Sequence, residues 1–335
     1  MRKLCDGTVT MDFLTMLFPV AGVRINLLVP PAVAMAVSFF TSMGGVSGAF
    51  LLLPFQLSVL EYTSPSVSAT NFVFNIVAIP SAVYRYIKEG RMAWPLTWVV
   101  VTGTLPGVFI GYYLRVIYLP DPMTFKLYVG SILLYIGMRL LYETTAKARE
   151  GKDRMKALEE KFKQRTAELT KQRHTHVASG LPTEAVVKTI SMDLARVEYE
   201  FWGERFSFST VGMFILAFVV GIIGGAYGIG GGAIIAPLCV AVFRLPVYTV
   251  AGASLLGTFL TSVAGLAFYS VIPARGGMVT PPDWFLGLLF GVGGFAGMYL
   301  GARCQKFIPQ KVIKLILGIS MLSLALTYIG QYFLV

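Results

Sequence analysis

Charge is scarce in this chain: of 335 residues only 13% are Asp, Glu, Lys or Arg, about half the share of an ordinary soluble domain. Cysteine is scarcer still. Cys5, Cys239 and Cys304 are odd in number, widely spaced and contain no CxxC pair, which argues against a disulfide framework or a thiolate metal centre. Histidine is confined to His174 and His176, in a Thr/Ser/Gly-rich stretch without nearby Cys or acidic ligands, so the pair reads as solvated linker and no metal is expected. No Gly-x-x-x-x-Gly-Lys loop occurs, so the chain carries no visible nucleotide-driven motor. Outside residues 143–207 only six acids remain, Asp6, Asp12, Glu61, Glu89, Asp121 and Asp283, all at loops or span ends. A proton relay or an intramembrane hydrolase places ionisable groups within its spans. The chain is therefore not expected to be an enzyme or to hold a cofactor. Asp6 and Asp12 also interrupt any apolar core near the N-terminus, against a cleaved signal peptide. Residues 11–23 read instead as a short interfacial helix.

Apolar residues are what the chain has in abundance, 56% of the total. No soluble fold of this length hides that much from water, and the class left is an all-α polytopic membrane protein whose first partner is the lipid bilayer. Lys and Arg exceed Asp and Glu by 28 to 17. In a soluble protein that excess would suggest nucleic acid; here it reads as the bias of basic residues toward cytoplasmic loops, and no nucleic-acid partner is expected. Charge-free stretches long enough or nearly long enough to cross hydrocarbon lie at 30–53, 65–84, 93–114 and 127–138, then at 208–243, 245–274, 284–302 and 315–335.

Between these sets, residues 143–207 hold 13 Lys/Arg and 11 Asp/Glu and are water-soluble in character. Residues 146–172 favour a helix, with Met155, Leu158, Phe162 and Leu169 along one stripe. Residues 186–209 alternate instead: Val197, Tyr199 and Phe201 interleave with acids, and Phe206 and Phe208 with Ser, around Gly203. That period predicts a small β-hairpin. The chain thus divides into an N-terminus with its interfacial helix (1–24), a first membrane repeat (25–142), a charged insert (143–207) and a second membrane repeat (208–335).

The two membrane halves are copies. At an offset of 183, Gly45-Val46-Ser47-Gly48-Ala49 through Pro54 lines up with Gly228-Ile229-Gly230-Gly231-Gly232 through Pro237. Asn71 then meets Ser254, Asn75 meets Thr258 and Tyr86 meets Tyr269; after a three-residue insertion Trp98 meets Trp284. Each half is read as four to five helical segments with one broken, Gly-rich helix. Such repeats are typical of secondary transporters, with the substrate site at the repeat interface.

Glycine disfavours a helix interior by about 1 kcal/mol relative to alanine, so the runs ending at Gly48 and Gly232 should break their helices, with Gly228, Pro54 and Pro237 as structural markers of the break. New helices should start near Ala49 and Ala233, presenting unpaired N–H groups and the positive end of the helix dipole, an arrangement suited to an anion. The candidate substrate-binding residues are Gly45, Ser47, Gly48, Asn71 and Asn75 from the first half, and Gly230, Gly231, Gly232, Ser254 and Thr258 from the second. Asn71 and Asn75, like Ser254 and Thr258, are four apart and share a helix face. These amides and hydroxyls serve equally as substrate ligands or as helix–helix glue. Gly103, Gly107 and Gly111, with Gly293, Gly297 and Gly301, read as helix-packing stripes.

Loop charges orient the chain. Arg2, Lys3 and Arg24 before the first span, and Arg85, Lys88 and Arg91 after the second, place the N-terminus and the insert in the cytoplasm of a multi-pass inner-membrane protein. Arg303, Lys306, Lys311 and Lys314 conflict with simple alternation of four spans in the second half. Either the Gly-rich segments do not cross fully, or the 36-residue stretch 208–243 is two elements.

The run Gly224-Gly225-Ala226-Tyr227-Gly228-Ile229-Gly230-Gly231-Gly232 with Pro237, followed by Ala251-Gly252-Ala253-Ser254, resembles the TauE/SafE sulfite exporter family. The weaker first copy, Gly44-Gly45-Val46-Ser47-Gly48 with Pro54 and Ala69-Thr70-Asn71, fits its duplicated architecture. The resemblance spans both apolar halves and leaves the insert as an elaboration. It implies a permease that exports sulfite, an organosulfonate or another small sulfur anion, inorganic or organic. Uptake of a thiosulfate- or sulfate-like anion, and a sensor or docking role for the insert, are the alternatives. Self-association into a homo-oligomer is left open.

Overall fold

A computed structural model of the chain describes residues 14–142, 144–145, 187–201, 203–232, 234–272, 278–304, 308 and 310–334. The helix expected at 146–172 and the pair His174 and His176 lie outside the described residues. The fold is a helical membrane bundle with two small antiparallel sheets. In chain order the helices are α1 (Val29–Met43), α2 (Ala49–Ser58), α3 (Ser66–Lys88), α4 (Trp94–Tyr113, prolonged by a π-helical turn Leu114–Tyr118), α5 (Pro122–Tyr142), α6 (Thr210–Tyr227), α7 (Ile235–Val242), α8 (Val247–Val271), α9 (Trp284–Cys304) and α10 (Gln310–Leu334). Seven of them, α3 to α6 and α8 to α10, are long and apolar enough to cross a membrane.

Scarce polar residues are placed where helices start and leave N–H groups unpaired. Ser209 caps α6 by accepting from Gly212 N at 3.2 Å. Asp283 caps α9 by accepting from Leu286 N at 3.1 Å, and Asp121 caps α5 by accepting from Thr124 N at 2.7 Å. The Thr124 backbone and hydroxyl bonds hold the Asp121 carboxyl below its usual range. Two of the six acids outside the insert are thus helix caps.

Between helices, glycine stripes let backbones touch, as small residues do inside bilayers. On α9, Gly293 meets Pro31, Gly297 meets Met35 and Gly301 meets Phe39, so α1 runs parallel to α9. Gly287 meets Thr70 and Val73, and Ser81 donates to the Phe295 carbonyl at 2.9 Å, so α3 also runs parallel to α9. With α1 and α3 pointing the same way, α2 must turn back between them. At 15 and 10 residues, α1 and α2 reach about 22 Å and 15 Å, short of a hydrocarbon core about 30 Å thick. They form a re-entrant pair.

The second half repeats this upside down. Gly103 meets Ala217 and Gly111 meets Ile222, so α6 runs parallel to α4; Gly265 meets Phe72 and Gly252 meets Tyr86, so α8 runs antiparallel to α3. Helices α6 and α8 therefore share a direction opposite to that of α1 and α3, with α7 returning between them. This settles the topology left open by sequence. The stretches 30–53 and 208–243 are each two elements. The loop between α9 and α10 falls at the same end as the insert, so Arg303, Lys311 and Lys314 no longer conflict with the loop charges.

Two expectations are corrected. Of the helix expected at 11–23, the described residues 15–23 form none: β1 (Thr15–Phe18) and β2 (Val23–Asn26) pair as an antiparallel hairpin, because Pro19 and left-handed Gly22 (φ 69°) make a turn. That hairpin also does not share a face with the insert. Ala21 N donates to Asp283 Oδ2 at 3.2 Å and Phe18 stacks on Phe285, at the start of α9. The insert instead meets the far ends of the same helices: Val187 N donates to the Gly90 carbonyl at 3.0 Å and Tyr199 pairs with Thr249 at 3.0 Å. Residues 14–28 and the insert lie at opposite ends of the bundle.

The predicted hairpin in the insert is present and gains a strand. β3 (Lys188–Met192), β4 (Arg196–Phe201) and β5 (Glu204–Ser209) form one antiparallel sheet in that order, with left-handed Gly203 (φ 72°) at the β4–β5 turn. Val197, Tyr199 and Phe201 face inward, as their alternation requires.

Candidate functional site

Helix α1 ends at Gly44, and Gly45 takes a left-handed φ of 70°. Helix α6 ends at Gly228, with φ of 80°, and Gly230 repeats that value. Gly45 and Gly228 are repeat equivalents, so both halves break at the same residue by the same left-handed turn, a conformation only glycine adopts freely. After the first break α2 restarts at Ala49, as expected; after the second α7 restarts at Ile235, two residues later than expected.

The breaks meet near the middles of α3 and α8. Asn75, fully buried, accepts from the Ser47 hydroxyl at the first break and donates from Nδ2 to the Ile229 carbonyl at the second, at 3.0 Å, and to Ser262 Oγ at 3.0 Å. Asn71 donates to the Ala49 carbonyl at 3.0 Å and accepts from Gln56 Nε2 at 3.1 Å. Tyr227 OH donates to the Phe50 carbonyl at 3.0 Å, and Ser68 lies against Gly228. In the second half Thr258 bonds its own helix at the Ser254 carbonyl, 2.8 Å, and Gly231 N donates to Thr261 Oγ1 at 3.0 Å.

All ten predicted residues therefore fall in one buried region. Gly48 sits between Ser38 and Phe74; Gly45 packs on Ala251 and Ala236; Gly230 and Gly232 press on Thr258 and Ser254. The glycines are required by space as well as by φ. A Cβ on Gly231 would lie 2.5 Å from Thr104 Cβ, and one on Gly232 would lie 2.6 Å from Thr258 N. Pro54 continues α2, and its carbonyl accepts from Tyr328 OH at 2.9 Å.

Most of these polar groups bond one another, as glue would, but not all are satisfied. Ser254 Oγ, Ser38 Oγ and Gln56 Oε1 are buried without a hydrogen-bond partner. Ser38, Ser68, Thr104, Thr261 and Ser262 were not singled out by sequence. Ser68 stands three residues before Asn71, and Ser262 four after Thr258, on the same helical faces as the predicted pairs. That spacing is the signal that could have found them, and Ser38, three and four residues before buried Thr41 and Ser42, carries it too.

A cleft opens at the insert end and lies between the first break and α7. Met43, Gly44 and Val46 line it from the first break, Ala236, Pro237 and Val240 from α7, and among the described residues Lys314 supplies its one charge. At the opposite end the bundle is tied shut. Tyr62 OH pairs with Ser66 Oγ at 2.7 Å and Thr70 Oγ1 at 2.9 Å, Thr70 accepts from Asp283 N at 2.9 Å, and Asp283 holds Ala21 of the hairpin. Burial pushes the Tyr62 phenol up to about 12. Among the described residues no cluster of three His, Cys, Asp or Glu side chains is placed to hold a metal ion.

Two inverted re-entrant pairs that abut at mid-depth define a polytopic membrane protein built on the plan of secondary transporters. Residues 31–328 match the family described as Sulfite exporter TauE/SafE, and the chain belongs to that family. It is similar to the probable membrane transporter protein YunE of Bacillus subtilis (strain 168), 24% identical over 291 residues, which cover 84% of this chain and 89% of that one. It is also similar to the probable membrane transporter protein YdhB of the same organism, 35% identical over 123 residues, 36% of this chain and 46% of that one. No solved structure matches.

Proposed function

We propose that the chain exports a small sulfur-containing anion, of the sulfite or organosulfonate class, through a site formed where the two breaks meet. The observation that carries this reading is the contact made by Asn75, which joins Ser47 of one break to Ile229 of the other at mid-depth. Opening that contact would expose the start of α2, the Gly230–Gly232 backbone and the Ser254 hydroxyl to one ligand. Neutral donors and helix N-termini suit an anion that must be released again. An inside-negative potential drives such an anion outward by about 2.3 kcal/mol per charge per 100 mV, so export needs no buried carboxylate for coupling.

Orientation follows from charge. Among the described residues outside the insert, Arg85, Lys88, Arg91, Arg139, Arg244, Arg303, Lys311 and Lys314 gather with Glu89 at the insert end, against Arg24, Arg115 and Lys126 with Glu61, Asp121 and Asp283 at the other. The positive-inside rule puts the insert in the cytoplasm and residues 14–28 on the outer face of the inner membrane. The cleft beside Lys314 then serves as the cytoplasmic entrance. The test is flux in proteoliposomes with sulfite, sulfate and a small sulfonate, with and without an imposed potential. Gly231→Leu, which fills the second break, is expected to abolish flux in a protein that still purifies as a folded species. Normal flux in that variant removes the site from the breaks.

A further inference from the structure

Arg115 is fully buried, yet among the described residues no carboxylate forms an ion pair with it. Its guanidinium donates to the backbone carbonyls of Leu119 and Thr63 and lies over the Phe125 ring, 3.7 Å from the centroid. Its Nε has no hydrogen-bond partner. A guanidinium carries five donors and keeps its charge in proteins, so two carbonyls and a ring leave it short of an anion. The other fully enclosed arginine, Arg91, shows the usual solution: it pairs with Glu89 and lies over Tyr86 at the insert end.

The backbone at Arg115 is also unusual. Leu114–Tyr118 is a π-helical turn that prolongs α4, a rare form that is frequent at functional sites. The position of Arg115 joins the far end to the second break. Thr63 belongs to the α2–α3 loop at the far end, whereas Tyr112, one turn before Arg115, packs on Tyr269 at 4.9 Å. Tyr269 OH in turn donates to the Gly225 carbonyl at 3.2 Å, just before the left-handed turn at Gly228.

We propose that Arg115 is an anion-binding residue in the outer half of the transport path, receiving the sulfur oxyanion after it leaves the breaks and before it reaches the outer face. The inference rests on the anion-export reading above and adds a second, charged station to it. In the arrangement described here, the Leu119 and Thr63 carbonyls and Phe125 occupy the guanidinium. When the outer end opens, the oxyanion replaces the carbonyls as its partner.

The test uses the full chain in proteoliposomes of known orientation, with radiolabelled sulfite and sulfate added separately at each face. In exchange mode, Arg115→Gln is expected to raise the half-saturating concentration at the outer face about tenfold or more, the effect of losing one charge-assisted bond. The value at the insert face should stay within about twofold. Arg115→Lys, which keeps the charge, should restore most of the outer-face affinity, and Phe125→Leu, which keeps Arg115, should leave it nearly unchanged. In detergent, sulfite or sulfate should raise the unfolding temperature of the wild type more than that of Arg115→Gln.

An outer-face half-saturating concentration in Arg115→Gln unchanged from wild type, with wild-type flux intact, overturns the Arg115 station and leaves the export reading standing. Losses of equal size in the Gln and Lys variants that follow their unfolding temperatures overturn it in favour of a structural anchor. A wild type that neither moves nor is stabilised by any tested anion overturns the export reading and this station together.

Discussion

Asn75 carries the contact between the two halves, and its removal has a calculable cost. Asn75→Ala deletes the bonds to Ser47, Ile229 and Ser262 at a site with no solvent access. Between membrane helices such bonds average about 0.6 kcal/mol each; in buried soluble sites they are closer to 1 kcal/mol. The three together, with the Ile229 carbonyl left unpaired, are worth about 2–3 kcal/mol of stability. Ser262→Ala deletes one of the three and should cost about 1 kcal/mol or less. Equilibrium unfolding in mixed micelles titrated with SDS measures both, and a double-mutant cycle should return a coupling of about 0.5–1 kcal/mol between Asn75 and Ser262. Measured alongside flux, the same variants separate glue from ligand: a substrate contact lowers flux beyond what the lost stability explains. The reasoning is refuted if Asn75→Ala is no less stable than Ser262→Ala, since the two breaks would then not be joined through this amide.

Two further substitutions test the conformational claims. Gly228→Ala should destabilise the protein by about 1–3 kcal/mol, because a side chain at φ 80° is strained and would collide with Ser68. Gly330→Ala, in α10 with nothing near its would-be Cβ, should be neutral or stabilising by up to about 1 kcal/mol; the same micelle titration ranks the pair, and equal effects would contradict the left-handed break. Tyr62→Phe should cost about 1 kcal/mol at pH 8 through its bonds to Ser66 and Thr70. Since the folded phenol is raised from 10.0 to about 12, the stability tied to keeping it neutral is complete below pH 10. That stability is lost as the pH rises toward 12, because the unfolded chain ionises first. At pH 11 the gap between wild type and variant should therefore shrink by about 1 kcal/mol, and a gap independent of pH would contradict the buried phenol.

Much of the candidate site was legible because its determinants are local. Glycine and proline act on their own residues, so the breaks at Gly45–Gly48 and Gly228–Gly232 and the restart at Ala49 follow from composition along a few positions. The alternation at Val197, Tyr199 and Phe201 likewise marks β4. The hairpin β1–β2 escaped because its strands are four residues each, too short for a period to show. Arg115 escaped for a different reason. Read by hydropathy, the third apolar stretch of the first half stops at 114 and leaves the arginine in a loop. The π-helical turn carries the helix to Tyr118 and takes the charge inside.

Residue types and their order along the chain were enough to show that it lives in a bilayer, that its two halves are copies, where each half breaks, and that carboxylates are scarce within the spans. Those properties depend on residue type and spacing along the chain. Direction is another matter. Whether a short apolar segment crosses or turns back depends on which helix it packs against, and here the glycine stripes of α4 and α9 decide it, running parallel to α6 in one case and to α1 and α3 in the other. Only the tertiary structure could therefore show that the halves are inverted, that the hairpin and the insert lie at opposite ends, and that Asn75 joins Ser47 to Ile229. The same packing turned a sparse charge, Arg115, from a loop residue into a buried cation.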